Sequence, residues 1–129
     1  MGESSSLIFI RVNPWLFVAN HQGKIEKPSG VGRAENVATG ETITIYIKVE
    51  GEHIVDARFE STGCGVSEAA AEEICRRAIG MHIDEASDIT QDDIEDSLAA
   101  KNLGGSYCAH LAANALYFAI INHVISSGL

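Results

Sequence analysis

The sequence predicts an α+β fold: a small antiparallel sheet of about three strands with helices packed on one face. Three observations predict it. The run Thr42–Val49 alternates strictly, with Ile43, Ile45, Ile47 and Val49 on one face, as a half-buried strand requires. From Val66 the apolar spacing changes from two residues to 3.6, the helical period. Strands then come first and helices after, the order of an α+β domain rather than of alternating βαβ units.

The 129 residues fall in the size range of a single domain, 1–129, large enough to bury a core without disulfides or a structural metal. Nine Lys and Arg against 18 Asp and Glu give a net charge of −9, which argues against nucleic acid or an anionic membrane as a partner. Three cysteines are too few and odd in number for a disulfide framework. They fit a reducing, cytoplasmic setting in which thiols stay available for metal or reaction. The apolar stretch Leu7–Ala19 is short and broken by Arg11, Asn13 and Pro14, so a bilayer span is not expected.

In chain order, residues 1–20 give mixed signals: Leu7–Val12 has strand composition, and Trp15–Ala19 suits a helical turn equally well. Gly23, Pro28, Gly30, Gly32 and Gly40 mark 20–40 as turn and loop. After the Thr42–Val49 strand, Glu50-Gly51-Glu52 turns the chain. His53–Glu60 then returns as a second strand with Val55, Ala57 and Phe59 on one face. Thr62-Gly63-Cys64-Gly65 is a tight loop before a helix. In that helix Val66, Ala69, Ala70, Ile74, Ala78 and Ile79 form the apolar stripe, and Glu72–Arg76 and Glu73–Arg77 form i,i+4 pairs on the opposite face. Gly80 stops it. A second helix starts at the Thr90 N-cap, with Asp93 at its third position and Ile89 able to staple to Ile94. Asn102–Gly105 is a loop. Ser106 caps a last helix to about Ile125, apolar nearly all round and so expected to be largely buried.

The residues able to carry chemistry are few. Cys64 lies between two glycines just ahead of a helix, where unpaired N–H groups and the helix dipole favour the thiolate, the form that binds iron or zinc. Cys108, two residues after Ser106, has the same advantage. It also shares a helix face with Ala112, Ala115 and Ala119, which fits a core cysteine. Cys75, mid-helix beside Ala71 and Ala78, reads as packing. His110 follows Cys108 by two residues, about 200° round a helix, which works against joint ligation. His21 lies in the glycine-rich loop and could reach a site. His53, His82 and His123 read as turn, loop and helix-end residues.

Gly30–Glu41 followed by the Thr42–Val49 strand, Asp56-Ala57-Arg58-Phe59 with Thr62-Gly63-Cys64-Gly65, and Tyr107-Cys108-Ala109-His110-Leu111-Ala112 together resemble the IscU-type, NifU N-terminal iron–sulfur scaffold family. The resemblance covers a core of 30–126. It implies a small α+β protein that is not an enzyme and that holds a nascent [2Fe–2S] cluster, or zinc, for transfer. It also implies a cysteine desulfurase and cluster-accepting proteins as partners. Cys64 and Cys108 match the family's second and third cysteines, and Glu41 takes the place of its aspartate. Thr39 stands where the family has its first cysteine, and Tyr107 where it has a histidine. The proline-rich chaperone-binding stretch is Leu103-Gly104-Gly105-Ser106 here, so that partner is not expected.

Glu41, Cys64 and Cys108 make three ligands, where a closed zinc site or a stable [2Fe–2S] cluster takes four. His21, His110, water or a partner's thiol is the candidate fourth. Two chains pooling Cys64 and Cys108 in a homodimer would also supply four thiolates. Two other readings stand beside the scaffold: a module of the same fold that binds assembly partners without a cluster, and an enzyme with a nucleophilic cysteine, for which no His/Asn or His/Asp partner set is evident.

Overall fold

The computed structural model describes residues 20–62, 65–100 and 106–127, without the side chains of 65–67, 95, 97–100 and 106–109. The expected strand or helical turn within 1–19 and the 102–105 loop lie outside the described residues. Among the described residues three strands, β1 (Gly30–Asn36), β2 (Glu41–Glu50) and β3 (His53–Ser61), precede four helices: α1 (Gly65–Ala78), α2 (Ile83–Ser87), α3 (Gln91–Ala100) and α4 (Ser106–Ser126). The sheet is antiparallel in the order β1-β2-β3. Ile43, Ile45 and Ile47 of β2 and Ala57 and Phe59 of β3 are fully buried. They form one core with Ala70, Ile74, Cys75 and Ala78 of α1 and Ala112, Ala115, Leu116 and Ala119 of α4. Among the described residues no helix is long and apolar enough to cross a membrane.

The fold class stands, and five local expectations are corrected. First, the loop expected over 20–40 contains β1. Gly30 and Gly32 are not turn residues: they let the backbone of α4 lie directly against the strand. A Cβ on Gly32 would sit 2.1 Å from the carbonyl oxygen of Ala115, and one on Gly30 2.2 Å from that of Ala119. Second, Val55 points out and Ile54 points in. Lys48 pairs with Asp56 but Val49 with Ile54, so Val55 is an extra residue, and the bulge inverts the face of everything before it. The turn itself is tight, with Gly51 and Glu52 at φ of 58° and 66°, both positive as the right-handed hairpin twist favours.

Third, a short helix, α2, stands in the expected loop. His82 caps it, its Nδ1 accepting from the Asp84 N–H at 3.0 Å while Glu85 Oε1 accepts from the His82 N–H at 3.2 Å. Fourth, α4 is not largely buried. It lies on the sheet by one side only, and Tyr117, Phe118, Ile121 and Ile125 stay exposed. Fifth, Glu72 and Glu73 are not on a solvated face. They are 8% and 5% exposed, because residues 20–23 fold over α1 and the arginines that follow close over Glu73. Glu73 pairs with Arg77 as expected, at 3.1 Å, and also with Arg76, whereas Glu72 turns to His21.

α1 stops at Gly80, whose φ of 94° needs a glycine and whose N–H donates to the Ile54 carbonyl at 2.7 Å. α3 starts as expected. Thr90 Oγ1 accepts from the Asp93 N–H at 3.2 Å, and Asp93 Oδ2 accepts from the Thr90 N–H at 3.0 Å. The bonds to Thr90, backbone before side chain, hold the Asp93 carboxyl below its usual pKa, with the Arg77 charge adding to them. A depressed carboxyl stabilises the fold above its unfolded pKa of about 4 and loses that contribution as pH falls through its folded value. Loss of the N-cap in Thr90→Ala is expected to cost about 1 kcal/mol in urea unfolding at neutral pH. The difference between Asp93→Asn and the parent should narrow once the parent is acidified below the carboxyl's folded pKa.

Candidate functional site

β1 and β2 are joined by the turn Val37–Gly40. Gly40, at φ +77°, and Thr39 both donate their N–H to the Asn36 carbonyl, at 2.7 and 3.2 Å. The turn places Thr39 beside Glu41: the Thr39 hydroxyl donates to Glu41 Oε1 at 3.1 Å, and the Glu41 N–H donates back to Thr39 Oγ1 at 3.3 Å. The Glu41 carboxylate is thus oriented over the turn by the residue two before it.

The end of β3 is fastened to the start of β2. The Thr62 N–H donates to the Thr42 carbonyl at 3.1 Å, the Thr42 N–H to Thr62 Oγ1 at 3.1 Å, and the two hydroxyls are 3.1 Å apart. Thr62 is therefore one step from Glu41, and the chain leaves it toward Cys64, which lies outside the described residues. α4 arrives at the same end. Gly30 abuts Ala119 and His123, and Gly32 abuts Ala115 and Phe118, so helix numbers fall as strand numbers rise. The first turn of α4, which contains the backbone of Cys108, therefore lies toward the Asn36 end of β1. The Cys108 and Tyr107 side chains are outside the described residues.

Two further candidates, His21 and His110, have partners of their own. His21 sits on the outer edge of β3, where its carbonyl accepts from the Phe59 N–H at 2.9 Å. Glu72 clamps it there: Oε1 accepts the His21 N–H at 2.9 Å and Oε2 lies 2.5 Å from Nδ1. A carboxylate on Nδ1 fixes the ring and leaves Nε2 as the nitrogen available for a ligand. No local signal announces this pair, because its partners are 51 residues apart. His110 is exposed, with Nε2 3.1 Å from Asn114 Nδ2. Among the described residues no three His, Cys, Asp or Glu side chains gather as a metal would need, and the structure does not bring His21, His110 and Glu41 together. Cys75 is core, as expected. Burial foremost, then Glu72 and Asp56, push its thiol well above the usual cysteine range against an opposing pull from Arg58, and this leaves it protonated and inert.

A profile of the family described as "NifU-like N terminal domain" matches residues 15–126. The chain belongs to the NifU-like N-terminal domain family. Within it the chain is 37% identical to two iron–sulfur cluster assembly scaffold proteins IscU of Archaeoglobus fulgidus, over 82% of this chain and 69% of each of those. It is 31% identical to the nitrogen fixation protein NifU of a Nostoc species, over 80% of this chain but only 37% of that longer protein. Among solved structures, an N-terminal NifU-like protein of Brucella abortus superposes with a TM-score of 0.68 at 18% identity, covering 96% of this chain and 100% of that one. A protein of Fervidobacterium islandicum, described as a candidate scaffold for the SUF system, superposes at 0.65 and 22% identity, covering 87% and 93%. Both share the NifU-like fold of β1–β3 and the packed helices.

Proposed function

We propose that this protein is an iron–sulfur cluster assembly scaffold: it receives iron and sulfur at the Glu41 end of the sheet, through Cys64, Cys108 and the Glu41 carboxylate, and releases them to acceptor proteins. The observation that carries the reading is the convergence of three elements there: the Thr39–Glu41 turn, the Thr42–Thr62 clasp that leads into residue 64, and the first turn of α4. The identity to IscU scaffolds over most of the chain supports it. On this reading the cluster or ion is cargo, and the protein catalyses no bond change on its own.

The chemistry of the donor set fits such cargo. Two thiolates and a carboxylate combine soft and hard ligands, a set that suits Fe(II), Zn(II) or a small cluster better than Mg(II). Two helix starts favour the thiolates at neutral pH. Thr39, a poor ligand, instead orients Glu41 by its hydrogen bond. A set of three leaves one position for a sulfur donor, water or an acceptor's thiol, so the cargo is held loosely enough to leave. A cysteine desulfurase as sulfur source and a cytoplasmic setting follow from the same reading.

The test is to express the protein without air and measure iron, zinc and acid-labile sulfide per chain. Cys64→Ala and Cys108→Ala are each expected to lose most of the bound metal, and Glu41→Gln to retain it but release it faster to a chelator. Metal content unchanged in both cysteine variants would overturn the proposal and leave a fold that binds assembly partners without cargo.

A further inference from the structure

Among the described residues β1 is an edge strand of the sheet. The hydrogen bonds fix which of its groups face outward. The Thr42 carbonyl accepts from Thr62, so Thr42, and by alternation Thr44 and Tyr46, bond toward β3. Ile43, Ile45 and Ile47 bond the other way, to Ala34, Gly32 and Gly30. The N–H and C=O groups of Val31, Arg33 and Glu35 therefore point away from the sheet. The first of these outward donors is already met: Asn122 Oδ1 accepts from the Val31 N–H at 2.9 Å. Among the described residues none hydrogen-bonds to the outward backbone groups of Arg33 or Glu35.

An open edge is a template for another strand, and the sequence here selects which one. Val31-Gly32-Arg33-Ala34-Glu35-Asn36-Val37 is complementary to itself when reversed about Ala34. Arg33 then stands opposite Glu35 of the other strand, Glu35 opposite Arg33, and Val31 opposite Val37. All four side chains are exposed, Val31 at 37% and Val37 at 88%. Directly opposed residues share a face of an antiparallel pair, so both charge pairs and both valine pairs would meet on one surface. The apolar residues left exposed on α4 border the same edge: Phe118, Ile121 and Ile125 lie within one turn of Asn122, the helix residue that reaches the edge.

We propose that β1 pairs antiparallel with β1 of a second copy of this chain, joining two three-stranded sheets into one of six strands about a two-fold axis beside Ala34. The contact is isologous, so it closes on itself and does not propagate into fibres. The axis sends the Asn36 end of each strand in opposite directions, so the two Glu41 residues stay apart and each copy keeps its own cargo end. Dimerisation and metal loading are thus separate properties.

The test is sedimentation velocity of the metal-free full chain over a range of concentrations, with circular dichroism to verify folding. The parent is expected to dimerise. Arg33→Glu sets carboxylates opposite each other at both pairs, and Glu35→Arg sets guanidinium groups opposite each other. Each is expected to weaken the dimer about tenfold or more. The double reversal Arg33→Glu/Glu35→Arg restores both pairs and should restore the dimer. A parent that stays monomeric, or single reversals that leave the dimer intact, or a double reversal that fails to recover it, would overturn the proposal.

Discussion

Gly32→Ala is expected to destabilise the fold by about 3 kcal/mol, the upper end of what overpacking costs and a large share of the stability of a domain this size. The reason is the identity of the atoms in the way. A Cβ at position 32 would meet the Ala115 carbonyl oxygen at 2.1 Å, the Ala119 nitrogen at 2.2 Å and the Phe118 carbonyl carbon at 2.8 Å. All three belong to the α4 backbone, so no rotamer change relieves the clash and strand and helix must part. That separation exposes Ala112, Ala115 and Ala119, fully buried residues chosen small so that the two backbones can approach. Guanidinium or urea unfolding should show a fall in the midpoint with little change in slope. A loss below about 1 kcal/mol, the ordinary cost of a misplaced small residue, would mean that α4 does not lie on β1 as described. The same change should loosen the first turn of α4 and with it the proposed ligand end.

That contact also explains why β1 leaves little local signal in the sequence. Features set by neighbours in sequence were legible: the alternation of β2, the Thr90–Asp93 capping pair, the stop at Gly80. Gly30 and Gly32 look like turn residues because the reason for them, a helix backbone some 85 residues later, leaves no local mark. Simple alternation points Val55 inward, and the bulge inverts it. The α2 cap carries no common sequence signal, because its acceptor is a histidine rather than Ser, Thr, Asp or Asn. By spacing Glu72 is half of an ion pair with Arg76, but its partner is His21, in a segment that covers α1. α4 looked buried all round because composition reports how much apolar surface a helix has, not how much of it the fold covers. At the candidate site, Thr39 and Glu41 are singled out by the family resemblance, and the hydrogen bond that joins them across the turn comes from the structure. His21 was not separable from them by sequence, since its position depends on Glu72.

The second large effect concerns the thiols, and it bears most directly on the central claim that Cys64 and Cys108 meet beside Glu41. An aryl arsenoxide condenses with two thiols on one arsenic, releasing water, and binds stably only where both sulfurs converge. Cys75 is no competitor, being fully buried with a thiol held protonated. Native mass spectrometry of the reduced, metal-free protein should therefore show one arsenical per chain, retained in Cys75→Ala and absent from both Cys64→Ala and Cys108→Ala. A parent that takes up no arsenical, or either of those last two variants still carrying one, would contradict the account.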